Sequence, residues 1–322
     1  MSILAFAIKK AVIDPVYSGV WTSRTAPNDN KWACVEWSPE EEIFVALSTF
    51  DAVNPMCITS PDGITWTERT IPNGEWLDVA WSPTEGLFAA VQTLGNIATS
   101  PDGITWTTRT VPFSGDDMRA VTWSPDLSLF VLVKTSGTNR VATSPDGITW
   151  TDRSGPGDPY TWYDVVWSPE ESLFCATSYF AGATSRIMTS PDGTNWTLQT
   201  SIVTEQMHGV AWSPSLNLFA AVGGDVVQTS PDGVTWTNRP TTETGNFFRR
   251  IIWIPEMSKF VAAEHLMAKV AFSSDGITWE QSDCDDAYQW TDVAYSPSLR
   301  RIVIVGATDD GIYDTIMTSD AA

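Results

Sequence analysis

Three aspartates recur at one position of a repeated pattern and are the residues best suited to chemistry. Asp78, Asp164 and Asp292 each stand three residues before an aromatic residue that ends an apolar segment. If the repeats surround a common axis, these carboxylates converge on it and offer the oxygen ligands that Ca²⁺ prefers. The same groups are equally suited to accept hydrogen bonds from loop N–H groups or to face channel water. In the other repeats the position holds Cys34, Ala120, Gly209 and Arg250.

The remaining polar residues do not assemble a hydrolase in the sequence. His208 and His265 each lack a Cys, an Asp or a second His at ligand spacing, so neither a zinc site nor a nucleophile–base pair is predicted. Arg119, Arg249 and Arg250 begin apolar segments, and five other arginines follow a tryptophan by three residues. We interpret these arginines as charges that neutralise an acidic chain. No catalytic residue is predicted.

A repeated seven-residue stretch determines where these residues lie. Ser-Pro-Asp-Gly-Ile-Thr-Trp occurs unchanged at Ser60–Trp66, Ser100–Trp106 and Ser144–Trp150, and with small changes at Ser190–Trp196, Ser230–Trp236 and Ser273–Trp279. Asp-Gly favours a turn, because glycine adopts a positive φ and aspartate bonds nearby backbone N–H groups. The Ile-x-Trp that follows favours a strand. The aspartates of this stretch are therefore predicted to hold turns: Asp62, Asp102, Asp146, Asp192, Asp232 and Asp275.

A second landmark divides each repeat into four short strands. An aromatic residue followed by Ser-Pro or Ile-Pro, and then by an apolar segment, occurs seven times, at Trp37, Trp81, Trp123, Trp167, Trp212, Trp253 and Tyr295. Four antiparallel strands in every forty-odd residues are typical of the blade of a β-propeller, whose small sheets bury both faces only by packing in a ring.

The two ends of the pattern predict how the ring closes. Gly19–Arg24 matches the second half of the repeated hairpin, and Ile316–Asp320 matches its first half. Together they complete a seventh hairpin and pair strand edges that would otherwise be exposed. The prediction is an all-β, seven-bladed β-propeller of four-stranded antiparallel blades, whose last blade is closed by an N-terminal outer strand. Residues 18–322 form this single domain, and residues 1–17 form an N-terminal extension.

The Ser-Pro-Asp-Gly-Ile-Thr-Trp stretch resembles the Asp-box, or BNR repeat, of sialidase-like propellers. The resemblance extends from Gly19 to Asp320, with one residue fewer between Asp and Trp than in sialidases. It implies that the box is a structural corner between the third and fourth strands, away from any active site. Similar short boxes with Trp-Ser-Pro landmarks occur in uncharacterised bacteriophage and bacterial proteins, which implies a virion or cell-surface setting. The six blades, arginine triad and Tyr–Glu pair of sialidases are not matched here.

Large apolar residues at the start of the innermost strands are the predicted ligand site. One interpretation is a packed upper layer of the core. The other is an aromatic collar at one mouth of the channel, on which a sugar ring or a protein anchor stacks. The ligand-binding residues of that collar are Trp32, Trp76, Trp162, Phe248 and Trp290. The variable loops are predicted at the same mouth, at residues 49–55, 135–140, 155–160, 180–185, 283–289 and 307–314.

Charge and composition narrow the classes of partner. The chain has 18 Lys and Arg against 39 Asp and Glu, a formal charge of −21, which opposes binding to nucleic acid. No apolar run is long enough to span a bilayer, and Lys9 and Lys10 follow the apolar start, the reverse of a secretory leader. No cofactor is predicted apart from Ca²⁺.

Three functions remain open from the sequence. The first is a non-enzymatic propeller that binds a glycan or a partner protein through its variable mouth. The second is a divergent glycoside hydrolase that uses Asp78, Asp164, Asp292 and Glu75. The third is an architectural role, in which residues 1–17 dock the propeller onto a larger assembly.

Overall fold

The seven predicted blades are present in the computed structural model, which describes residues 20–28, 30–49, 56–113, 115–179, 186–200, 205–240, 247–266, 268–284, 289–307 and 315–320. Each blade is a four-stranded antiparallel sheet. The innermost strand of each blade contacts the innermost strand of the next, and the seventh blade contacts the first, so the sheets form a closed ring. This confirms the seven-bladed β-propeller.

The strands, numbered in chain order, take the same place in every blade. The innermost strands are β2 (Trp32–Ser38), β6 (Trp76–Ser82), β10 (Met118–Ser124), β14 (Trp162–Ser168), β18 (Gly209–Ser213), β22 (Phe248–Ile254) and β26 (Gln289–Ser296). The second strands are β3 (Ile43–Ser48), β7 (Leu87–Gln92), β11 (Leu129–Lys134), β15 (Leu173–Ser178), β19 (Leu218–Gly223), β23 (Lys259–Glu264) and β27 (Arg301–Ala307). The third strands are β4 (Cys57–Ser60), β8 (Ile97–Ser100), β12 (Val141–Ser144), β16 (Ile187–Ser190), β20 (Val226–Ser230), β24 (Lys269–Ser273) and β28 (Ile316–Asp320).

The outermost strands complete the blades. They are β1 (Thr22–Arg24), β5 (Thr67–Arg69), β9 (Thr107–Arg109), β13 (Thr151–Arg153), β17 (Thr197–Gln199), β21 (Thr237–Pro240) and β25 (Glu280–Asp283). Within the described ranges the only helical segments are two 3₁₀ turns, Thr93–Gly95 and Pro255–Met257. No helix in these ranges is long and apolar enough to cross a membrane.

The first and last described segments of the chain share one blade. Strand β1 pairs antiparallel with β28, with Thr22 opposite Thr318. Ser319 Oγ donates a hydrogen bond to the carbonyl of Val20 at 2.8 Å, and Arg24 Nε donates to Thr318 Oγ1 at 2.8 Å. Trp21 is buried in the core between the last two blades. The blade is therefore closed by an N-terminal outer strand, as the sequence predicts.

The repeated turn is held by its aspartate. In the second copy, Asp102 Oδ1 accepts hydrogen bonds from the backbone N–H groups of Ile104 (2.9 Å) and Thr105 (2.7 Å) and from Ser100 Oγ (3.0 Å). Gly103 has a φ of +69°, and a Cβ there would lie 2.6 Å from Val45 Cγ2 of the preceding blade. The same three bonds to the aspartate recur in all six boxes. The turn thus fixes both the hairpin and its contact with the neighbouring blade.

Removing the closing strand is expected to open the ring. Deletion of residues 1–24 removes Trp21, whose buried side chain alone accounts for about 3–5 kcal/mol of unfolding free energy. It also leaves the edge of β28 unpaired and prone to aggregation. Deletion of residues 1–17 is the control, and its melting temperature should match that of the full chain. Size-exclusion chromatography measures the aggregation of each deletion variant, and thermal unfolding measures its stability. A monomeric 1–24 deletion of unchanged stability would contradict the closure.

Asp102→Ala is expected to lower the unfolding free energy by about 1–3 kcal/mol, because it leaves turn N–H groups without their acceptor. Burial alone would raise the pKa of Asp102, but the N–H bonds from Thr105 and Ile104 outweigh it and hold the pKa below its usual value. The stabilisation is therefore complete above the unfolded pKa of about 3.9 and is lost as the pH falls through the folded pKa. Urea unfolding at pH 7 and pH 2.5 should show the difference from wild type shrinking in acid. Ile104→Ala, an exposed neighbour, should change little at either pH.

Candidate functional site

The channel inside the ring has three levels. The upper level, which we call the mouth ring, consists of the residue that follows the first large apolar residue of each repeat: Ala33, Leu77, Arg119, Tyr163, His208, Arg249 and Thr291. Below it lies the plug, made of Asp78, Asp164, Arg250 and Asp292. Below the plug is a lower chamber of about 370 Å³, into which Glu36, Thr122 and several landmark tryptophans project.

A β-bulge decides which residues face the channel. In the first blade Trp32 pairs with Ser48 and Cys34 pairs with Leu47, so Ala33 is an extra residue without a partner in the ladder. The same shift occurs in five further blades, at residues 77, 119, 163, 249 and 291. A bulge re-aims the side chains on either side of it. The bulged residue therefore lines the channel mouth, and the large apolar residue before it turns into the core.

The predicted aromatic collar does not exist as a binding surface. Each of its ligand-binding candidates has an exposed fraction of 0%: Trp32, Trp76, Trp162, Phe248 and Trp290. They belong to the clusters that pack one blade against the next. The indole N–H of Trp76 is bonded to the carbonyl of Pro72 at 2.9 Å, so even its polar edge is occupied. The prediction that these residues stack on a ligand is wrong, because no ring face is accessible.

The three aspartates of the predicted calcium site do meet, around an arginine from another blade. Arg250 Nη2 donates to Asp78 Oδ1 at 3.0 Å and Nη1 donates to Asp164 Oδ1 at 2.7 Å. Its Nε lies 3.2 Å from Asp292 Oδ1. One guanidinium thus joins blades two, four, six and seven across the channel.

The second oxygen of each carboxylate binds the next blade. Asp78 Oδ2 accepts the N–H of Val121 at 2.9 Å and Asp164 Oδ2 accepts that of Val210 at 2.9 Å. Asp292 Oδ2 accepts the N–H of Val35 at 2.8 Å. The positive charge that these oxygens surround is therefore the guanidinium of Arg250, and the calcium prediction at Asp78, Asp164 and Asp292 is replaced by a protein cation. No group of three or more His, Cys, Asp and Glu in the described part of the chain is placed to hold a metal ion.

Burial raises the pKa of two of the plug aspartates and of one carboxyl below them. Burial raises the pKa of Asp164 to about 6 and that of Asp292 to about 7, with Arg250 opposing the shift and Asp78 adding to it. Burial also raises the pKa of Glu36, below the plug, to about 8, and the charges of Asp78 and Asp292 add to this shift. Burial alone would lower the pKa of Arg250, but the surrounding aspartates outweigh it and raise the pKa. Arg250 is the fixed charge of the plug, and burial disfavours the ionised forms of Asp164 and Asp292 beside it.

The mouth ring is cationic. The guanidinium carbon of Arg119 lies 3.9 Å from the ring centroid of Tyr163, and Arg119 also donates a hydrogen bond to the Tyr163 hydroxyl. Arg249 Nη1 lies 3.2 Å from His265 Nε2. His208 is 1% exposed and packs edge-on against Tyr163, with ring centroids 5.1 Å apart.

The charges of the mouth ring act on one another. Burial lowers the pKa of Arg249, Tyr163 opposes that shift and the nearby Arg119 adds to it. Burial and then the charges of Arg249, Arg119 and His265 lower the pKa of His208 to about 3, so this imidazole is neutral at physiological pH. The charge of Arg119 therefore adds to the effect of burial in disfavouring the charged form of Arg249.

A vestibule of about 180 Å³ opens above the mouth ring. Lys31, Arg119 and Arg249 bring three positive charges to its described lining, and no carboxylate belongs to that lining. Below, a throat of about 20 Å³ leads down to Arg250 and has room for one water-sized group. Of the variable loops predicted at this mouth, residues 135–140 and 155–160 are described, and the other four lie wholly or partly outside the described residues.

The residues of the hydrolase hypothesis are not brought together. The plug aspartates are bonded to Arg250, whereas Glu75 lies outside the channel and accepts a hydrogen bond from Thr93 Oγ1 at 3.3 Å. The sequence interpretation missed Arg119 and Arg249, which it treated as neutralising charges. The sequence did contain a signal for these arginines, namely the residue type at the position after the first large apolar residue of each repeat. It varies from Ala33 to Arg119 to His208 inside otherwise apolar strands.

Replacing Arg250 is expected to destabilise the protein in a pH-dependent way. Arg250→Met leaves three buried carboxyls without their cation, which should cost about 3–5 kcal/mol near neutral pH. The pKa values of Asp164 and Asp292 lie above the unfolded value of about 3.9, so protonation favours the folded state and stability falls as pH rises through the folded pKa values. Urea unfolding should therefore show a larger loss at pH 8 than at pH 5. Arg153→Met, a substitution in an outer strand, should lower the unfolding free energy by the same amount at pH 5 and at pH 8. An equal loss for Arg250→Met at both pH values would contradict this account.

Comparisons with known proteins support the fold and leave the family open. No protein-family model matches the chain, and no curated protein matches its sequence. Among solved structures, a streptogramin B lyase superposes with a TM-score of 0.79 at 8% identity, covering 94% of this chain and 98% of that one. A virginiamycin B lyase from Staphylococcus aureus has a TM-score of 0.77 at 11% identity, covering 93% and 97%. YCF48 bound to D1 peptide has a TM-score of 0.70 at 15% identity, covering 94% and 95%. At these identities the likeness concerns the propeller fold, and the resemblance to Asp-box sialidases gains no family match.

Proposed function

We propose that the chain is a non-enzymatic binding propeller that takes a protein ligand at the mouth where Arg119 and Arg249 lie. The observation that carries the proposal is the basic vestibule. In a chain with 39 acidic and 18 basic residues, its described lining has three positive charges and no carboxylate. A cleft of one sign inside an oppositely charged body focuses the field and attracts ligands of complementary charge.

The vestibule is also built in advance. Its lining includes residues from the innermost strands of a closed ring, and the throat beneath it ends at the plug that Arg250 joins across four blades. A rigid site loses little conformational entropy when a ligand binds. A propeller mouth built in this way can bind a ligand without a large rearrangement.

The groups at the mouth favour binding over catalysis. A general base works best when its pKa lies near the working pH. His208, with a pKa of about 3, is a weak base, and its ring is fixed between Tyr163 and Phe247. The plug aspartates are bonded to Arg250. A hydrolytic or lyase activity therefore has less support than a binding role.

A peptide ligand has more support than a glycan. YCF48, which shares this fold, is bound to a peptide in its structure. Sugar recognition usually uses exposed aromatic faces, and the aromatic residues proposed for that purpose are buried. A glycan ligand rests on the predicted aromatic collar, and a bacteriophage or cell-surface setting rests on the resemblance of the repeat alone. Docking of residues 1–17 onto a larger assembly also remains a proposal, because these residues lie outside the described part of the chain.

The proposal is tested by blocking either end of the channel. Ala33 at the mouth and Thr122 in the lower chamber are both half-buried and both face the channel, so phenylalanine at either position narrows one end. Each variant is used to probe a library of random fluorescent hexapeptides that are anchored by their N-termini. A glycan array is probed in parallel. We expect Ala33→Phe to lose at least tenfold in affinity and Thr122→Phe to bind as wild type does. Equal effects of both variants, or binding to glycans alone, would overturn the proposal.

A further inference from the structure

The mouth ring contains two arginines whose charge no described carboxylate balances. Neither Arg119 nor Arg249 takes part in an ion pair among the described residues. Arg250, next to Arg249 in sequence, contacts three aspartates. The acidic residues that line the throat are Asp78 and Asp292, and both are bound to Arg250. Among the described residues, the two mouth cations therefore have no carboxylate partner, which leaves their charge to a ligand in our proposal.

The surroundings of these arginines orient them. Tyr163 lies under the guanidinium of Arg119 and accepts a hydrogen bond from it, which fixes its plane. His265 holds one Nη of Arg249 at 3.2 Å. Each guanidinium has five N–H donors, so these contacts use only some of them, and both arginines line the vestibule. Planar, oriented guanidinium groups match the two oxygens of a carboxylate.

A third polar group points to the same ligand. His208 is 1% exposed and lines the throat, and its Nδ1 has no hydrogen-bond partner among the described residues. A buried ring nitrogen without a partner costs free energy unless a ligand or water reaches it. The neutral imidazole can donate one hydrogen bond to an anion in the throat without adding a third charge to the two arginines.

We propose that this site binds the free carboxylate of a peptide C-terminus between Arg119 and Arg249, with His208 beneath it. The proposal rests on the proposed function and names its ligand group. A C-terminal residue suits the shape of the site, since the vestibule of about 180 Å³ admits a terminal residue and the throat of about 20 Å³ admits one carboxylate oxygen. A polyanion such as nucleic acid is disfavoured, because the body of the protein carries a charge of −21 and repels every phosphate beyond the first.

The test compares two forms of one hexapeptide library. Peptides anchored by their N-termini are presented with a free C-terminal carboxylate or with a C-terminal amide, and the best binder is then made soluble with an N-terminal fluorophore. Fluorescence anisotropy measures its Kd in both forms. We expect amidation to weaken binding at least tenfold. Arg119→Gln and Arg249→Gln should each weaken the acid form by a similar factor and leave the weak binding of the amide form unchanged.

The chain supplies a matched control for these substitutions. Arg109, in an outer strand, donates to Thr99 Oγ1, and in the fourth blade Gln199 naturally makes the equivalent bond to Thr189 Oγ1. Arg109→Gln therefore removes one positive charge at a position that accepts glutamine, and its Kd should equal that of wild type.

The melting temperature separates an effect on binding from an effect on the folded structure. Arg249→Gln should melt no more than about 2 °C below wild type, because it relieves repulsion with Arg119.

The possible outcomes distinguish a failure of the carboxylate assignment from a failure of the proposed binding function. If the acid and amide forms bind equally and Ala33→Phe still blocks both, the carboxylate assignment is wrong and the binding function stands. If amidated peptides ending in Asp or Glu bind as well as the free acids, a side-chain carboxylate is the ligand and the C-terminal assignment is wrong. If neither form shows binding that depends on the mouth, both the inference and the proposed function are overturned. A large loss of stability in Arg249→Gln would show that this arginine is structural.

Discussion

Packing between neighbouring blades is the interaction on which the rest of this structure depends. A four-stranded sheet of short strands has two apolar faces, and each core cluster combines residues from two adjoining blades, such as Leu47 with Trp76. Polar bonds follow the same joints. The indole N–H of Trp81 donates to Glu40 of the preceding blade at 2.6 Å, and Trp212 donates to Glu170 at 2.6 Å. Because every blade is completed by its neighbour, the ring is stable only when it is closed.

That dependence explains why the sequence predicts the fold well and the site poorly. The period, the turn aspartates and the closing strand repeat along the chain, so Asp102 can be assigned from its own repeat. The site arises where different repeats meet across the axis. Alternation along a regular strand places Trp32 towards the channel, but the bulge makes Ala33 the channel residue. The link between Arg250 and Asp78 joins residues 172 positions apart, and no local pattern encodes it.

The plug separates two environments within one channel. Its three aspartates accept Arg250 on one side and backbone N–H groups of the following blades on the other, so it works as a structural crosslink. By engaging these carboxylates it also keeps them from the arginines above. Arg119 and Arg249 thus face the vestibule with their charge uncompensated by the described residues, while Glu36 remains below, in the lower chamber. Charge separation along the axis is a direct result of where the plug lies.

The two arginines at the mouth, which have no carboxylate partner among the described residues, favour our proposal of a binding role over an architectural one. Burial and the charge of Arg119 both disfavour the charged form of Arg249, and a buried Nδ1 of His208 has no described partner, so these groups are expected to cost free energy in the folded state. A propeller that served only as a spacer would not need charge at these positions, and the equivalent positions of the first two blades hold the apolar residues Ala33 and Leu77. The closed ring can tolerate this cost because its stability comes from seven blade interfaces away from the axis. The placement of Arg119 and Arg249 above the plug, in the lining of the vestibule, is therefore the reason we infer an anionic ligand at this mouth.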